Sequence, residues 1–145
     1  MPPALRIDSL WKCYAAGVRG CSARVWALRG LRLTVEMGER IAIIGAPGSG
    51  KTTLAECIVG LGTPTAGTVE SVGRLEIVEI QEVRTSGVTV PTSRPPDLPT
   101  SIVFTRDPDL LSGWFDRVLL LRDGRLHATS FRSARRVAER SAPLR

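Results

Sequence analysis

The residues whose types and spacing promise chemistry are Gly45-Ala46-Pro47-Gly48-Ser49-Gly50-Lys51-Thr52, which satisfy GxxxxGK[ST] at every fixed position. Triphosphate oxygens have to be surrounded by backbone N–H groups at close range. Glycines at 45, 48 and 50 permit both the backbone angles and the approach that this demands. A helix beginning near Gly50 adds the partial positive charge of its N-terminus. The expected roles are Lys51 reaching the β and γ phosphates and the Thr52 hydroxyl ligating Mg²⁺, within a nucleotide-binding run from Gly45 to Thr53 that includes Ala46, Pro47, Ser49 and Thr53.

Such a loop works only between a strand and a helix. Ile41-Ala42-Ile43-Ile44 is a continuous apolar run suited to a buried parallel strand, and it leads straight into Gly45. After the loop, Leu54, Cys57, Ile58 and Leu61 fall at helical spacing, with Gly60, Gly62 and Pro64 as stop signals. Leu5–Trp11 and Leu31–Val35 read as strands, with Gly17, Gly20 and Gly30 marking turns between them. Val69–Val83 is strand-rich, residues 88–100 are a connector of prolines and small polar residues, and Ser101–Thr105 is a short buried strand. Val118–Arg122 and Arg125–Thr129 flank Asp123-Gly124, a favoured two-residue hairpin turn. The expected fold class is α/β, a mainly parallel sheet with an antiparallel N-terminal portion.

The chain has 145 residues, 43% hydrophobic and 23% charged, which fits one compact domain. We divide it into a nucleotide-binding unit, residues 1–129, and a basic tail, residues 130–145. Its net charge of +6 comes with 18 Arg against 2 Lys, Lys12 and Lys51. No aromatic stacking pattern or recognition helix accompanies that charge, so no nucleic-acid partner is expected. Cys13, Cys21 and Cys57 are odd in number and lack CxxC spacing, which argues against a zinc site or a full disulfide framework and suits a reducing cytosol. No stretch has the length of a signal peptide or membrane span. The expected location is therefore cytoplasmic, with any membrane contact peripheral.

Residues 25–70, VWALRGLRLTVEMGERIAIIGAPGSGKTTLAECIVGLGTPTAGTVE, resemble the N-terminal part of ATP-binding cassette (ABC) transporter ATPases. In that family a strand, Gly-Glu, the P-loop, Thr-Thr-Leu and a later TPTAGTV-like turn recur in this order. The resemblance implies an aromatic residue that stacks on adenine: Tyr14 in LWKCYAAG is the candidate and Trp26 the rival. Residues 100–126, TSIVFTRDPDLLSGWFDRVLLLRDGRL, resemble the family's C-terminal part, a switch strand followed by a hairpin.

Between these stretches the chain departs from the family. Lys51 to Thr105 spans 54 positions, too few for the helical subdomain. Gln81 is the candidate for the family's glutamine loop, against an ordinary exposed strand residue. Leu111-Ser112-Gly113 opens like the LSGGQ signature but continues Trp-Phe and lies after the switch strand. No apolar strand ends in Asp-Glu. Glu79, Glu82 and Asp107 read as solvated charges, which leaves the catalytic base unassigned. Where the family has Thr-His-Asp, this chain has Thr105-Arg106-Asp107. Arg106 can still meet a phosphate at the switch position, but it cannot accept a proton. His127, the single histidine, falls in the hairpin.

The resemblance therefore implies an ATP-binding subunit with ATP and Mg²⁺ as cofactors and weak or absent intrinsic hydrolysis. Its implied partners are membrane-spanning transporter subunits and another ATPase cassette. The stretches around VWALRG and GTVESVGRL look most like cassettes that export polysaccharide. A non-enzymatic nucleotide-dependent regulator or scaffold, and a non-functional remnant, are the alternatives.

Overall fold

The architecture is built outward from β3 (Arg40–Ile44), five consecutive buried residues. The computed structural model describes residues 3–16, 23–72, 75–80, 100–106 and 115–129. β3 is preceded by β1 (Leu5–Ala16) and β2 (Ala23–Val35), and followed by α1 (Lys51–Val59), β4 (Ala66–Ser71) and β5 (Leu75–Ile80). β6 (Thr100–Thr105), β7 (Arg117–Arg122) and β8 (Arg125–Thr129) complete the order. A five-stranded sheet runs β5-β6-β3-β7-β8, parallel from β5 through β7 with β8 antiparallel at the edge. A second, three-stranded sheet has the order β2-β1-β4 and is antiparallel throughout.

Parallel strands lie where both faces are covered, and the apolar run at 41–44 meets that condition. On one face Ile41, Ile43, Ile102 and Phe104 share a core with Leu54, Cys57 and Ile58 of α1 and with Leu5, Leu10 and Leu28 of the antiparallel sheet. On the other, Ala42, Ile44 and Val103 pack with Phe115, Val118 and Leu120. The two sheets are tied together by the Arg29 amide donating to the Gly124 carbonyl, 2.9 Å.

β1 is not straight. Ser9 takes φ 48, and its pairing shifts register between Ile7 and Leu10 on one side and between Asp8 and Trp11 on the other. Such a bulge bends a strand. Gly67 of β4 makes room for it, since a Cβ there would overlap the Ser9 carbonyl. The inner limb, with Leu5, Ile7 and Leu10 buried, belongs to the core, while the outer limb from Trp11 carries exposed aromatics.

The strands expected at Leu5–Trp11 and Leu31–Val35 are present but longer, reaching Ala16 and starting at Ala23. Gly30 is not a turn. It lies inside β2 at φ 62, where its missing Cβ lets the Trp11 indole approach, 3.2 Å from the position that atom would take. The Val69–Val83 stretch divides between two sheets, β4 in one and β5 in the other. Leu61, read as part of the helix's apolar stripe, is 84% exposed. The helix ends at Val59, and Gly60 in the left-handed region redirects the chain before Leu61 arrives.

The hairpin is as expected, with Asp123 (φ 51) and Gly124 (φ 73) both at the positive φ that a type I′ turn requires. Among the described residues α1 is the single helix, consistent with a P-loop core without a helical subdomain. Cys21, Gln81, Glu82, Asp107, Leu111–Gly113 and the tail 130–145 lie outside the described residues.

Candidate nucleotide-binding site

The loop between β3 and α1 is held at its first residue by the neighbouring strand: the Gly45 amide donates to the Thr105 carbonyl, 3.0 Å. A turn follows, closed by the Ser49 amide on the Ala46 carbonyl, 3.1 Å. Gly50 is the N-cap of α1 at φ 107, ψ 10, and the helical ladder begins with the Leu54 amide on the Gly50 carbonyl, 2.9 Å. Only glycine suits Gly50 on two counts. Its φ is one that L side chains rarely adopt, and a Cβ there would lie 2.7 Å from the Ala27 carbonyl of β2. The antiparallel sheet thus leans directly on the loop.

Residues 45–53 contain no acidic side chain, and α1 has none in its first turn. The Lys51 ammonium folds back across the loop and donates to the carbonyls of Gly45 and of Ala46, the latter at 3.1 Å. Nothing lies within 4 Å of where a Cβ on Gly48 would stand, so the crown of the loop is open. A lysine, two threonine hydroxyls and a helix N-terminus around an open glycine turn form a donor set for an anion. Ser49 Oγ is buried without a hydrogen-bond partner.

The C-terminal ends of β5, β6 and β3 lie level, since Ile80 pairs with Thr105 and Thr105 with Ile44. Arg106, exposed, therefore follows β6 beside the first residue of the loop. β5 brings the backbone of Glu79 and Ile80 to this same edge, and Gln81 follows directly in sequence. The sequence reading gives this run strand character, with Gln81 in it as the candidate for the glutamine loop. What it lacked was the sheet order, since no spacing between residues 50 and 80 announces that β5 lands two strands from the loop. Among the described residues no three His, Cys, Asp or Glu side chains gather as a metal site.

The two aromatic candidates are sorted by register. Tyr14 pairs with Val25, whereas Trp26 pairs with Cys13 on the alternate face. Tyr14 is 42% exposed and its hydroxyl reaches Thr53 Oγ1 at 3.5 Å, so it adjoins the loop helix. Trp26 instead meets Trp11 edge-on, ring centroids 5.4 Å apart and planes at 79°. His127 is exposed on β8, opposite Leu120. Burial in α1 pushes the Cys57 thiol above its ordinary range, with the Lys12 charge opposing it. At the far end of β3, burial lowers the Arg40 pKa against the opposing charge of Glu76, and its guanidinium stacks 4.7 Å from the Phe115 ring centre.

A family model for ABC transporters matches residues 28–138. The chain is 54% identical over 54 residues to a sulfate/thiosulfate import ATP-binding protein of Brucella melitensis, covering 37% of this chain and 15% of that one. It is 44% identical over 75 residues to a lipoprotein-releasing system ATP-binding protein of Psychrobacter arcticus, covering 52% and 31%. The chain thus spans less than a third of the length of these curated relatives. In fold it is similar to cbiO1 of Clostridium perfringens, part of an ABC transporter complex, with a TM-score of 0.62 at 15% identity over 88% of each chain. The loop, the sheet around it and the extent of the family match agree: the chain belongs to the ABC transporter family of ATP-binding cassettes.

Proposed function

We propose that this chain binds ATP-Mg²⁺ through Gly45–Thr53, with intrinsic hydrolysis weak or absent. The observation that carries the reading is Lys51, whose ammonium already spans the loop on the carbonyls of Gly45 and Ala46. There it can exchange a carbonyl for a phosphate oxygen with little movement. The backbone amides of residues 46–52 surround the phosphates, and the Thr52 hydroxyl takes one position on Mg²⁺, whose charge offsets that of the phosphates. Tyr14, adjoining Thr53, offers an exposed ring to the adenine.

Arg106 supports the second half of the proposal. It occupies the residue after the switch strand, level with the start of the loop, and brings a fixed positive charge that attracts a terminal phosphate. A guanidinium cannot take a proton from water. A positioned general base contributes about 10²- to 10⁴-fold in rate, so its loss leaves binding while removing most turnover. Gln81, next in sequence after β5, is the proposed further nucleotide contact. Membrane-spanning transporter subunits and a second cassette are the proposed partners, and a nucleotide-dependent regulator is the reading to which a total lack of turnover leads.

The test is a melting experiment with phosphate release measured on the same samples. ATP-Mg²⁺ at about a hundred times its Kd stabilises a native-state binder by about 2.7 kcal/mol, and in Lys51→Ala, with a Kd roughly ten- to hundred-fold weaker, the shift falls to about 0.4–1.4 kcal/mol. Release at ordinary enzymatic rates refutes weak hydrolysis, and an unshifted wild type refutes binding.

A further inference from the structure

Lys12 and Lys51 are the only lysines of the chain, set against 18 arginines, and both lie beside the nucleotide site. Lys51 is absorbed by the loop, whereas Lys12 is not. Its Nζ donates to the Thr63 carbonyl at 2.6 Å and stands 5.2 Å from the centre of the Tyr14 ring. We propose that Lys12 is a positioning residue, holding the Tyr14 ring as a fixed platform for the nucleotide base; this rests on the reading of the site given above.

The case is one of connectivity. α1 closes at Gly60 in the left-handed region, with the amides of Leu61 and Gly62 both on the Glu56 carbonyl at 2.9 and 3.0 Å. The chain leaving that cap is laced onto the outer limb of β1: the Thr65 amide donates to the Trp11 carbonyl at 2.8 Å, and the Cys13 amide donates to Thr65 Oγ1 at 3.1 Å. At its other end the helix reaches β1 through Thr53 and the Tyr14 hydroxyl. α1 thus grips one strand at both ends, and Lys12 sits between the grips.

A carbonyl of this strap fixes the ammonium. Tyr14 stands on the outer limb of a bulged strand, 42% exposed, and its ring needs restraint. An ammonium over one face supplies that restraint by a cation–π contact and leaves the other face to a base. A platform ordered beforehand loses less entropy when the base stacks.

The experiment measures, by calorimetry on the full chain, ATP-Mg²⁺ and tripolyphosphate-Mg²⁺ separately, so that the ratio of affinities isolates the base. Tyr14→Ala is expected to weaken ATP roughly ten-fold and leave tripolyphosphate unchanged. Lys12→Met weakens ATP roughly three-fold with tripolyphosphate again unchanged, and Lys12→Arg, which keeps the charge, restores most of that loss. Tyr14→Ala with Lys12→Met binds ATP no more weakly than Tyr14→Ala alone, because Lys12 acts through the ring. Lys12→Gln keeps a donor for Thr63 without the charge, and matches Lys12→Met if the latter is too unstable to titrate.

Equal losses for both ligands, additive losses in the double variant, or no loss at all each overturn the role of Lys12. A failure of the underlying site reading looks different: Lys51→Ala then leaves both affinities untouched, or the wild type binds neither ligand, and the inference falls with it.

Discussion

Two glycines of one loop make a controlled comparison. Gly48 and Gly50 both hold positive φ, 80 and 107, so alanine at either incurs a backbone penalty of about 1–2 kcal/mol. Their surroundings differ. A Cβ on Gly48 meets nothing within 4 Å, whereas one on Gly50 meets the Ala27 carbonyl at 2.7 Å and Leu28 Cδ2 at 3.2 Å. Ala27 belongs to a paired strand and Leu28 is fully buried, so neither can retreat cheaply, and overpacking of this kind adds about 1–3 kcal/mol. Gly48→Ala should therefore cost about 1–2 kcal/mol and Gly50→Ala about 2–5 kcal/mol. Urea unfolding of the nucleotide-free chain, followed by tryptophan fluorescence, reads the difference as a shift in midpoint at constant slope. Equal destabilisation of the two variants would refute the claim that β2 rests on the loop, because the backbone penalty alone would then account for both.

Leu54 is fully buried and Leu61 is 84% exposed, so Leu54→Ala should cost about 2–5 kcal/mol in the same assay while Leu61→Ala stays within about 0.5 kcal/mol. Asp123→Asn should leave the hairpin intact, whereas Asp123→Val, a β-branched residue at φ 51, should cost about 1–2 kcal/mol. Because the folded pKa of the Cys57 thiol lies above its unfolded value, the unfolded chain releases the proton first as pH rises. That contribution to stability is complete below the unfolded thiol pKa, about 8.5, and is lost as pH rises through the folded one. The urea midpoint of wild type should fall more steeply than that of Cys57→Ala above about pH 8.5, and parallel curves would remove Cys57 from the account.

What the sequence disclosed was local. The glycine loop between strand and helix, the apolar run before it, the Asp-Gly hairpin and the strand at 101–105 each carry their signal within a few residues, and the structure has these elements there. Leu61 keeps the spacing of the helix's apolar stripe, but α1 ends at Val59 and the left-handed cap at Gly60 has already turned the chain. The bend of β1 could not be read, since Ser9 gives no cue and the space for its bulge is left by Gly67, 58 positions away. The same holds for β5. Its residues mix two glutamates, Glu76 and Glu79, with four apolar side chains, a pattern that marks a strand but not its neighbours, and its significance comes from pairing with β6. Sequence names Tyr14 as the candidate with Trp26 as its rival, and it is register that puts the two on alternate faces of β1 and β2.

The most direct test of the central claim is calorimetric titration of the chain with ATP-Mg²⁺ beside Lys51→Ala. The account predicts saturable binding that weakens roughly ten- to hundred-fold in the variant, the loss of one charge-assisted hydrogen bond to phosphate. Equal affinities for the two proteins, or no binding by either, would contradict it.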